Sequence, residues 1–292
     1  MSAITMEGVT RSFGKKQVLR GVSAKAGDGR VIGLLGRNGE GKTTLFKIML
    51  DILAADSGRI EVLGMTPDGS GRIRAQVGYV LERPAFHDFM TVAEVFDLRS
   101  RLFPGWKREK ALALSKSLEL DPSTRIQGAS KGTLGKIAWV CAAAHDPKLF
   151  LLDEPTSWLD ALVRDDVLNE LINELHETGK TIMVANHRME ELAGVLDEIW
   201  VLADGVISGA HEMERLKAEA CRVTGRLKEG RSLPQEFSSA KVEGGLVEVE
   251  CLEAAAAERL ASAGILEGAQ RSRLPVNDIL KRLLKGTKER DT

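Results

Sequence analysis

Residues 31–44 of the chain read VIGLLGRNGEGKTT, a short apolar run followed by a glycine-rich turn. The next segment, 43–53, has the spacing of apolar residues that is typical of a helix. These features predict a strand, a loop and a helix in that order. The loop matches the pattern G-x-x-x-x-G-K-[ST], and its residues are Gly36, Arg37, Asn38, Gly39, Glu40, Gly41, Lys42, Thr43 and Thr44.

The residue types in this loop suit the binding of a nucleoside triphosphate. Glycines let successive backbone N–H groups surround phosphate oxygens without a clash with Cβ atoms. The helix that begins at Lys42 adds the positive end of its dipole. We expect Lys42 to reach the β- and γ-phosphates and the Thr43 hydroxyl to bind Mg²⁺. A glycine-rich turn without a ligand is the alternative, and the strand and helix around the loop argue against it.

Two acidic residues follow a second buried strand, which is predicted over 148–152. Ligands of open α/β sheets bind at the carboxyl ends of the strands, where Asp153 and Glu154 stand. Asp153 is placed to hold Mg²⁺ directly or through water. Glu154 is the better candidate for polarising an attacking water molecule. Taken alone, the two residues fit a surface turn before Pro155 equally well; the phosphate loop upstream favours the catalytic interpretation.

The remaining pattern predicts an α/β fold. Strands are predicted at 4–9, 17–24, 59–63 and 78–81, the first two in an antiparallel subdomain, and helices at 91–102 and 107–118. These helices lie in an α-helical subdomain of about 84–147. Further along, strands 148–152, 181–185 and 198–202 alternate with helices 162–177 and 189–195. Buried strands that alternate with helices predict a parallel sheet covered on both faces. This P-loop NTPase core is expected to occupy 1–209, and a small α+β appendage 210–292.

Composition narrows the function further. The hydrophobic share of 43% and the charged share of 28% are those of a globular protein. A net charge of -1 provides no basic field for nucleic acid, which we therefore do not expect as a partner.

No apolar run approaches the roughly 20 residues that span a bilayer, and the N-terminus lacks a signal-like apolar segment. Cys141, Cys221 and Cys251 show no metal-ligand spacing and are interpreted as small apolar residues in a reducing compartment.

The motifs of residues 1–209, taken in order, resemble those of the ATP-binding cassette (ABC) family. Phe13 stands where the family has the aromatic ring that stacks on adenine, although it could instead be a core residue at a strand end. Glu82 stands where the family usually has glutamine. A carboxylate there can bind Mg²⁺ or its water but cannot donate a hydrogen bond unless it is protonated. A solvated loop charge is the alternative.

Two further segments correspond to the family's contacts with a second subunit. Segment 129–133 corresponds to the signature loop, which covers the γ-phosphate held by the opposing subunit; Ser130 and Gly132 fit its LSGGQ pattern, and Lys131 lies between them. A plain helix N-cap is the alternative. Segment 157–160 corresponds to the D-loop, which runs along the dimer interface, with Trp158 in place of a small residue.

His187 follows the strand 181–185 and matches the switch histidine of the family. The resemblance implies that it hydrogen-bonds the γ-phosphate and orients the attacking water with Glu154. A histidine of purely structural role is the alternative. The other histidines match no motif and are expected at the surface; they are His87, His145, His176 and His211.

The resemblance implies an ATPase with ATP and Mg²⁺ as cofactors. The implied catalytic residues are Glu154, His187 and Lys42, and the implied metal ligands are Thr43, Asp153 and Glu82. The nucleotide would contact Phe13, the loop 36–44, and Ser130, Lys131 and Gly132 of another subunit. Because the chain carries one set of motifs, a homodimer is the simplest way to complete two sites.

The resemblance also implies a separate integral membrane permease, with this chain in the cytoplasm, peripheral on the inner face of the cell membrane. The break at 103–106 and Lys131 are similar to exporter-type cassettes of bacterial antibiotic and peptide resistance systems, so export is favoured. A partner helix could pack on phenylalanines of the helical subdomain, of which two are expected to pack internally; these residues are Phe86, Phe89, Phe96 and Phe103.

Two alternatives remain open from the sequence. A soluble, non-transport ATPase of the same superfamily would act on ribosomes or DNA, but such proteins resemble tandem cassettes or carry long coiled coils, and this chain has neither. The second alternative is a cassette that has lost catalytic activity, because Glu82 and Thr133 depart from the family pattern.

Overall fold

The structure, a computed structural model, describes residues 2–155, 172, 178–186 and 188–285. The chain divides into two compact units, 1–210 and 211–292. In the part of the chain that the structure describes, no helix combines the length and the apolar character needed to cross a bilayer. The D-loop segment 157–160, His176, His187 and, apart from Ile172, the predicted helix 162–177 lie outside the described residues.

The elements up to residue 212, in chain order, are β1 (Ser2–Phe13), β2 (Lys16–Gly27), β3 (Val31–Leu35), α1 (Lys42–Met49), β4 (Ser57–Val62), β5 (Val77–Val80), α2 (Val92–Leu102), α3 (Arg108–Ser117), α4 (Lys131–Ala143), β6 (Leu149–Asp153), β7 (Thr181–Ala185), a 3₁₀ turn (Met189–Leu192), β8 (Glu198–Ala203) and β9 (Val206–Glu212). They form a three-stranded sheet of order β2-β1-β4 and a six-stranded sheet of order β5-β6-β7-β3-β8-β9. The strands of the smaller sheet are antiparallel, whereas β5, β6, β7, β3 and β8 run parallel.

The parallel sheet is covered on both faces. Every residue of β3, β6 and β7 is buried, as expected for the near-continuous apolar runs of central parallel strands. The predicted α/β class is thus confirmed. Because the strands are parallel, the carboxyl ends of β3, β5, β6 and β7 meet at one edge of the sheet, and the phosphate-loop motif follows β3 at that edge.

Helices α2, α3 and α4 form the helical subdomain around a shared apolar core. The predicted capping box begins α2: the Glu94 N–H donates to Thr91 Oγ1 at 3.3 Å, and the Thr91 N–H donates to Glu94 Oε2 at 2.7 Å. Two of the four phenylalanines, Phe86 and Phe96, pack against this core. Phe103 is buried as well, and Phe89 is 71% exposed. Three therefore pack internally rather than the two that the sequence predicted.

Two other local predictions were wrong. The helix expected at 189–195 is only the 3₁₀ turn, because the chain must enter β8 at once: the Val31 N–H donates to Asp197 Oδ2 at 2.7 Å and the Asp197 N–H to the Val31 carbonyl at 2.9 Å. His145, expected at the surface, is 5% exposed. Its ring packs on Phe103 with the centroids 4.7 Å apart, and burial lowers its pKa.

The second unit contains α5 (Met213–Glu219), β10 (Cys221–Leu227), a 3₁₀ turn (Gln235–Phe237), β11 (Lys241–Glu243), β12 (Leu246–Cys251), α6 (Ala254–Ser262), β13 (Leu266–Arg273) and α7 (Val276–Lys285). Its antiparallel sheet has the order β11-β12-β10-β13. Strand β13 was not predicted: all its residues after Leu266 are exposed, so the sequence shows no apolar alternation, and the strand is defined by its pairing with β10.

Close packing of α4 on β5 requires glycine at position 78. A Cβ atom on Gly78 would lie 2.5 Å from the Ala142 carbonyl oxygen and 2.8 Å from both Phe150 and Pro147. The backbone of Gly78 is not in the left-handed region, so the constraint is purely steric. The helical subdomain and the parallel sheet therefore meet without room for a methyl group.

We predict that Gly78→Ala lowers the free energy of unfolding by ~1–3 kcal/mol, the usual cost of overpacking. The measurement is urea unfolding followed by tryptophan fluorescence, since all four tryptophans lie in the first unit. Gly194→Ala is the matched control, because a Cβ added at Gly194 would meet nothing within 4 Å and the φ of this residue is not positive. Equal midpoints for the two variants would contradict the packing argument.

Candidate functional site

Close contacts shape the loop between β3 and α1 and require two of its glycines. A Cβ on Gly36 would lie 2.6 Å from the Leu202 carbonyl oxygen. Gly41, the residue before α1, has φ 106°, and a Cβ added there would lie 2.8 Å from Leu19. At Gly36 the nearby backbone leaves no room for a Cβ atom. At Gly41 a Cβ atom would also be too close to its neighbours, and the positive φ favours glycine. The predicted strand, loop and helix are all present.

Lys42 is held inside this loop. Its side chain is buried, and Nζ donates to the carbonyl oxygens of Gly36 at 2.8 Å and Arg37 at 3.2 Å. Burial lowers the pKa of the Lys42 ammonium, and carboxylates oppose that shift; in order of effect they belong to Glu154, Asp153, Glu40 and Glu82. The side chain is therefore fixed at the inner wall of the loop, where several acidic groups converge.

Thr43 and Asp153 are joined directly. The Thr43 hydroxyl donates to Asp153 Oδ2 at 2.6 Å, although 110 residues separate the two positions. Sheet register explains the meeting: Asp153 pairs with Ala185 on β7, and Ala185 pairs with Leu34 on β3. The end of β6 and the start of the loop therefore lie at the same level of the sheet.

The Asp153 carboxyl is almost completely buried, at 2% exposure. Burial raises its pKa, the hydrogen bond from Thr43 acts against that shift, and the charges of Glu154 and Glu82 add to it. These influences show that Glu82, in the loop after β5, lies within electrostatic reach of Asp153 and Lys42. Among the described residues, three carboxylates (Asp153, Glu154 and Glu82) and one ammonium group (Lys42) act on one another here. The excess of negative charge favours the binding of a cation.

Glu154 has a strained backbone. Its φ of 51° lies in the left-handed region, which costs a non-glycine residue on the order of 1 kcal/mol or more. The Glu154 N–H donates to the Ala185 carbonyl at 2.8 Å, and this bond holds the turn in place at the end of β6. The side chain therefore leaves the sheet at an angle that an extended strand could not give. Strain of this kind concentrates at functional positions.

The end of β7 contributes a buried polar residue. Asn186 is fully buried, and its Oδ1 accepts the Arg188 N–H at 3.0 Å. This bond ties the Asn186 side chain to the backbone of Arg188. His187 itself lies outside the described residues, so its expected role stays a prediction.

Sequence reasoning missed a contact that braces the loop. Glu40 Oε2 accepts the Asp204 N–H at 2.7 Å, and the neighbouring Gly205 carbonyl accepts the Arg20 N–H at 2.8 Å. The turn between β8 and β9 is thereby attached to both the phosphate loop and β2. The sequence does offer one indication of this contact. A carboxylate in a loop that binds phosphate would repel the ligand, so Glu40 is expected to bond to a hydrogen-bond donor elsewhere in the protein.

Phe13 and the signature segment lie on other elements. Phe13, at the end of β1, is 49% exposed and is not a core residue; the Arg11 guanidinium lies 5.1 Å from its ring centroid. Ser130 is the N-cap of α4, and its Oγ accepts the Thr133 N–H at 3.0 Å. Ser130 therefore does act as the helix N-cap that the sequence analysis gave as the alternative to a signature loop. Lys131 and Gly132 form the first turn of α4, which leaves the N-terminal N–H groups of this helix at a solvent-facing end.

Comparisons with known proteins agree with this geometry. A family model described as ABC transporter matches residues 19–157. The chain is 30% identical over 220 residues, 75% of each sequence, to the ABC transporter ATP-binding protein YtrB of Bacillus subtilis (strain 168). It is 29% identical over 206 residues to the bacitracin transport ATP-binding protein BcrA of Enterococcus faecalis, which covers 69% of this chain and 67% of the relative.

The fold is shared with solved structures of the same kind. One, an ATP-binding subunit of an ABC transporter, superposes with a TM-score of 0.67 at 24% identity and covers 74% of this chain and 92% of that chain. The relatives are named for transporters, and the family model is that of an ABC transporter, so the comparisons give no support to an action on ribosomes or DNA. The chain belongs to the ABC transporter ATP-binding family and is an ATP-hydrolysing subunit of a transporter.

Proposed function

We propose that the chain is one half of an ATP-driven clamp that energises export through a separate integral membrane permease. The observation that carries the proposal is the convergence of Lys42, Thr43, Asp153 and Glu154 at one edge of the parallel sheet. The glycine-rich backbone and the N-terminus of α1 would surround the phosphates, with Lys42 against the β/γ-phosphates. The exposed ring of Phe13 offers a surface for adenine.

The residues present fit Mg²⁺. The Thr43 hydroxyl and the Asp153 carboxylate place two hard oxygen ligands 2.6 Å apart, and Mg²⁺ in nucleotide sites takes few protein ligands besides phosphate and water. Glu82 is within electrostatic reach and would add a ligand or hold a bound water. When bound, Mg²⁺ would neutralise charge on the β- and γ-phosphates, which the excess of carboxylates here would otherwise repel.

Glu154 is proposed to polarise the attacking water and accept its proton as the water oxygen approaches the γ-phosphorus. Its φ of 51° departs from the extended backbone of β6 immediately after that strand ends, and its charge acts on both Lys42 and Asp153. His187 would hydrogen-bond the γ-phosphate from the end of β7. The buried Asn186 at the end of β7, whose Oδ1 accepts the Arg188 N–H, supports this assignment.

A second copy would complete each nucleotide site. Ser130, Lys131 and Gly132 begin α4, so backbone N–H groups, the helix dipole and one ammonium are available for a γ-phosphate held by the other copy. Two-fold symmetry then completes two sites at once. Because ATP contacts both copies only when they meet, its binding favours the closed dimer, and hydrolysis removes that preference.

The helical subdomain is the proposed contact with the permease, at the inner face of the membrane. Phe89 is 71% exposed and stacks on His87 with ring centroids 5.3 Å apart, which gives an apolar contact beside the segment after Glu82. The direction of transport is proposed from the similarity to BcrA, named for bacitracin transport, and from the break at 103–106.

We predict that the tagged chain recovers an integral membrane protein from solubilised membranes, and that Phe89→Ala lowers this recovery several-fold. Ile52→Ala is the matched control, because Ile52 is also an exposed apolar residue, at 48%, but lies outside the helical subdomain. Protein mass spectrometry identifies the partner. Recovery of ribosomal proteins instead, with no membrane chain, would contradict the proposed function.

We predict that Glu154→Gln lowers ATP turnover by ~10²–10⁴-fold, the usual contribution of a general base. ATP affinity should remain, and the variant should accumulate as an ATP-bound dimer, measurable by light scattering. Glu109→Gln, an exposed carboxylate on α3, controls for loss of charge. Undiminished turnover in Glu154→Gln would rule out this base, and absence of turnover in the unaltered chain would indicate a degenerate cassette.

We predict that Glu40→Ala raises KM for ATP about five-fold, as expected for the loss of a hydrogen bond worth ~1 kcal/mol. Glu40→Gln keeps an oxygen acceptor for the Asp204 N–H and removes the negative charge beside Lys42, so its KM should equal or fall below that of the unaltered chain. Steady-state ATPase assays separate the two variants. If both raised KM equally, charge rather than the brace would be the cause.

A further inference from the structure

The sheet of the second unit brings two cysteines face to face. Cys221 is the first residue of β10 and Cys251 the last residue of β12, and they are direct Cα partners in the antiparallel ladder. Both are free thiols. The sequence alone, in which they are widely separated, gave no indication of this pairing.

The ladder fixes the type of pair. The Leu227 N–H donates to the Gly245 carbonyl at 2.8 Å, one step beyond the Arg226 and Leu246 pair. Hydrogen-bonded pairs recur at every second residue of an antiparallel ladder, so Cys221 and Cys251 also form a hydrogen-bonded pair. Such pairs have Cα atoms ~5.5 Å apart, within the range of ~4.4–6.8 Å found for disulfides. Their Cβ atoms lie ~4.5–5.5 Å apart, against ~3.5–4.5 Å in a disulfide. The ends of the two strands must therefore approach each other by up to ~1 Å for the bond to form, and both cysteines are terminal residues of their strands.

Both sulfur atoms lie on the same face of the sheet. Side chains of directly opposed residues share a face, and that face recurs at every second residue. Val223 and Val249, the next pair on this face, are 0% and 3% exposed and belong to the apolar core. Cys251 is likewise buried, whereas Cys221 is half-buried at the end of the strand. Cys221 packs against the same core, but it is the more exposed of the two cysteines.

The surroundings differentiate the two thiols. Burial raises the pKa of Cys251 to about 11; Cys221 and Glu236 act in the same direction, and Arg271 and Arg282 oppose them. Cys251 is therefore a protonated thiol at neutral pH. On the other side of β10, Arg273 is the direct Cα partner of Cys221.

We propose that Cys221 and Cys251 are a redox modification site, at which a hydroperoxide converts the two thiols into a disulfide that links β10 to β12. The Cys221 thiolate attacks the peroxide oxygen, which breaks the O–O bond, gives a sulfenic acid and releases hydroxide. The Cys251 sulfur then attacks the Cys221 sulfur and displaces the hydroxyl group, which leaves as water with the Cys251 proton. Two thiols are oxidised and one hydrogen peroxide is reduced to two waters.

The bond would join the two central strands of the sheet and close the chain between them, including β11 and the 3₁₀ turn. A cross-link of this kind stabilises a small unit mainly by restricting its unfolded state. Oxidants would thereby rigidify the second unit.

The test is to treat the purified full chain with hydrogen peroxide under conditions in which circular dichroism shows it to be folded. Titratable thiols, assayed after denaturation, should fall from three to one, and peptide mapping without reductant should link 221 to 251. Dithiothreitol should restore all three thiols. A rise in Tm of the oxidised chain should accompany the link. Three remaining thiols, or a link that involves Cys141 or a second molecule, would overturn the proposal.

Single variants test the order of the steps. In Cys251→Ser the reaction should stop at a Cys221 sulfenic acid, which dimedone labels. In Cys221→Ser the enclosed Cys251 should stay unmodified at the same peroxide dose. Labelling of position 251 before position 221 would contradict the assigned roles, and the mapping of the unaltered chain decides the outcome if either variant fails to fold.

Discussion

The hydrogen bond between Thr43 and Asp153 depends on the register of a parallel sheet more than on any local sequence. The two residues meet because β7 lies between β3 and β6, with Ala185 aligned to both Leu34 and Asp153. A shift of one residue in the β6–β7 ladder would turn the Asp153 side chain to the other face, and a shift in the β3–β7 ladder would move the loop that carries Thr43 away from it. The apolar side chains of these strands, buried on both faces, fix the register and so bring the phosphate loop to its acidic partner.

The same edge of the sheet stores unfavourable energy. A buried carboxyl, a buried ammonium and a glutamate in the left-handed region each oppose folding. Apolar burial throughout the sheet offsets these costs, and a ligand that carries both phosphate and a divalent cation would relieve the charge imbalance. An arrangement organised before the ligand arrives needs little rearrangement for catalysis, which is where much of an enzyme's electrostatic advantage originates.

The sequence predicted the elements whose side-chain pattern determines their structure. The run 31–44 and the capping box at Thr91 are local signals, and both are present. Features that depend on distant neighbours were missed: β13 is defined by pairing with β10, and the 3₁₀ turn at 189–192 by the early return of the chain into β8. The contact of Glu40 with the turn after β8 likewise joins segments that only the fold makes adjacent.

The central claim is that nucleotide is held between Lys42 of one copy and Ser130 of another. Mixing a Lys42→Ala chain with a Ser130→Arg chain, each with a different tag, tests it directly, because their heterodimer contains one site with both native residues and one with neither. With Mg²⁺ and ATP, the account predicts stable heterodimers that retain one ATP each, and no stable dimer of either variant alone. Dimers that form equally well from each variant alone, or a mixture that never pairs, would contradict it.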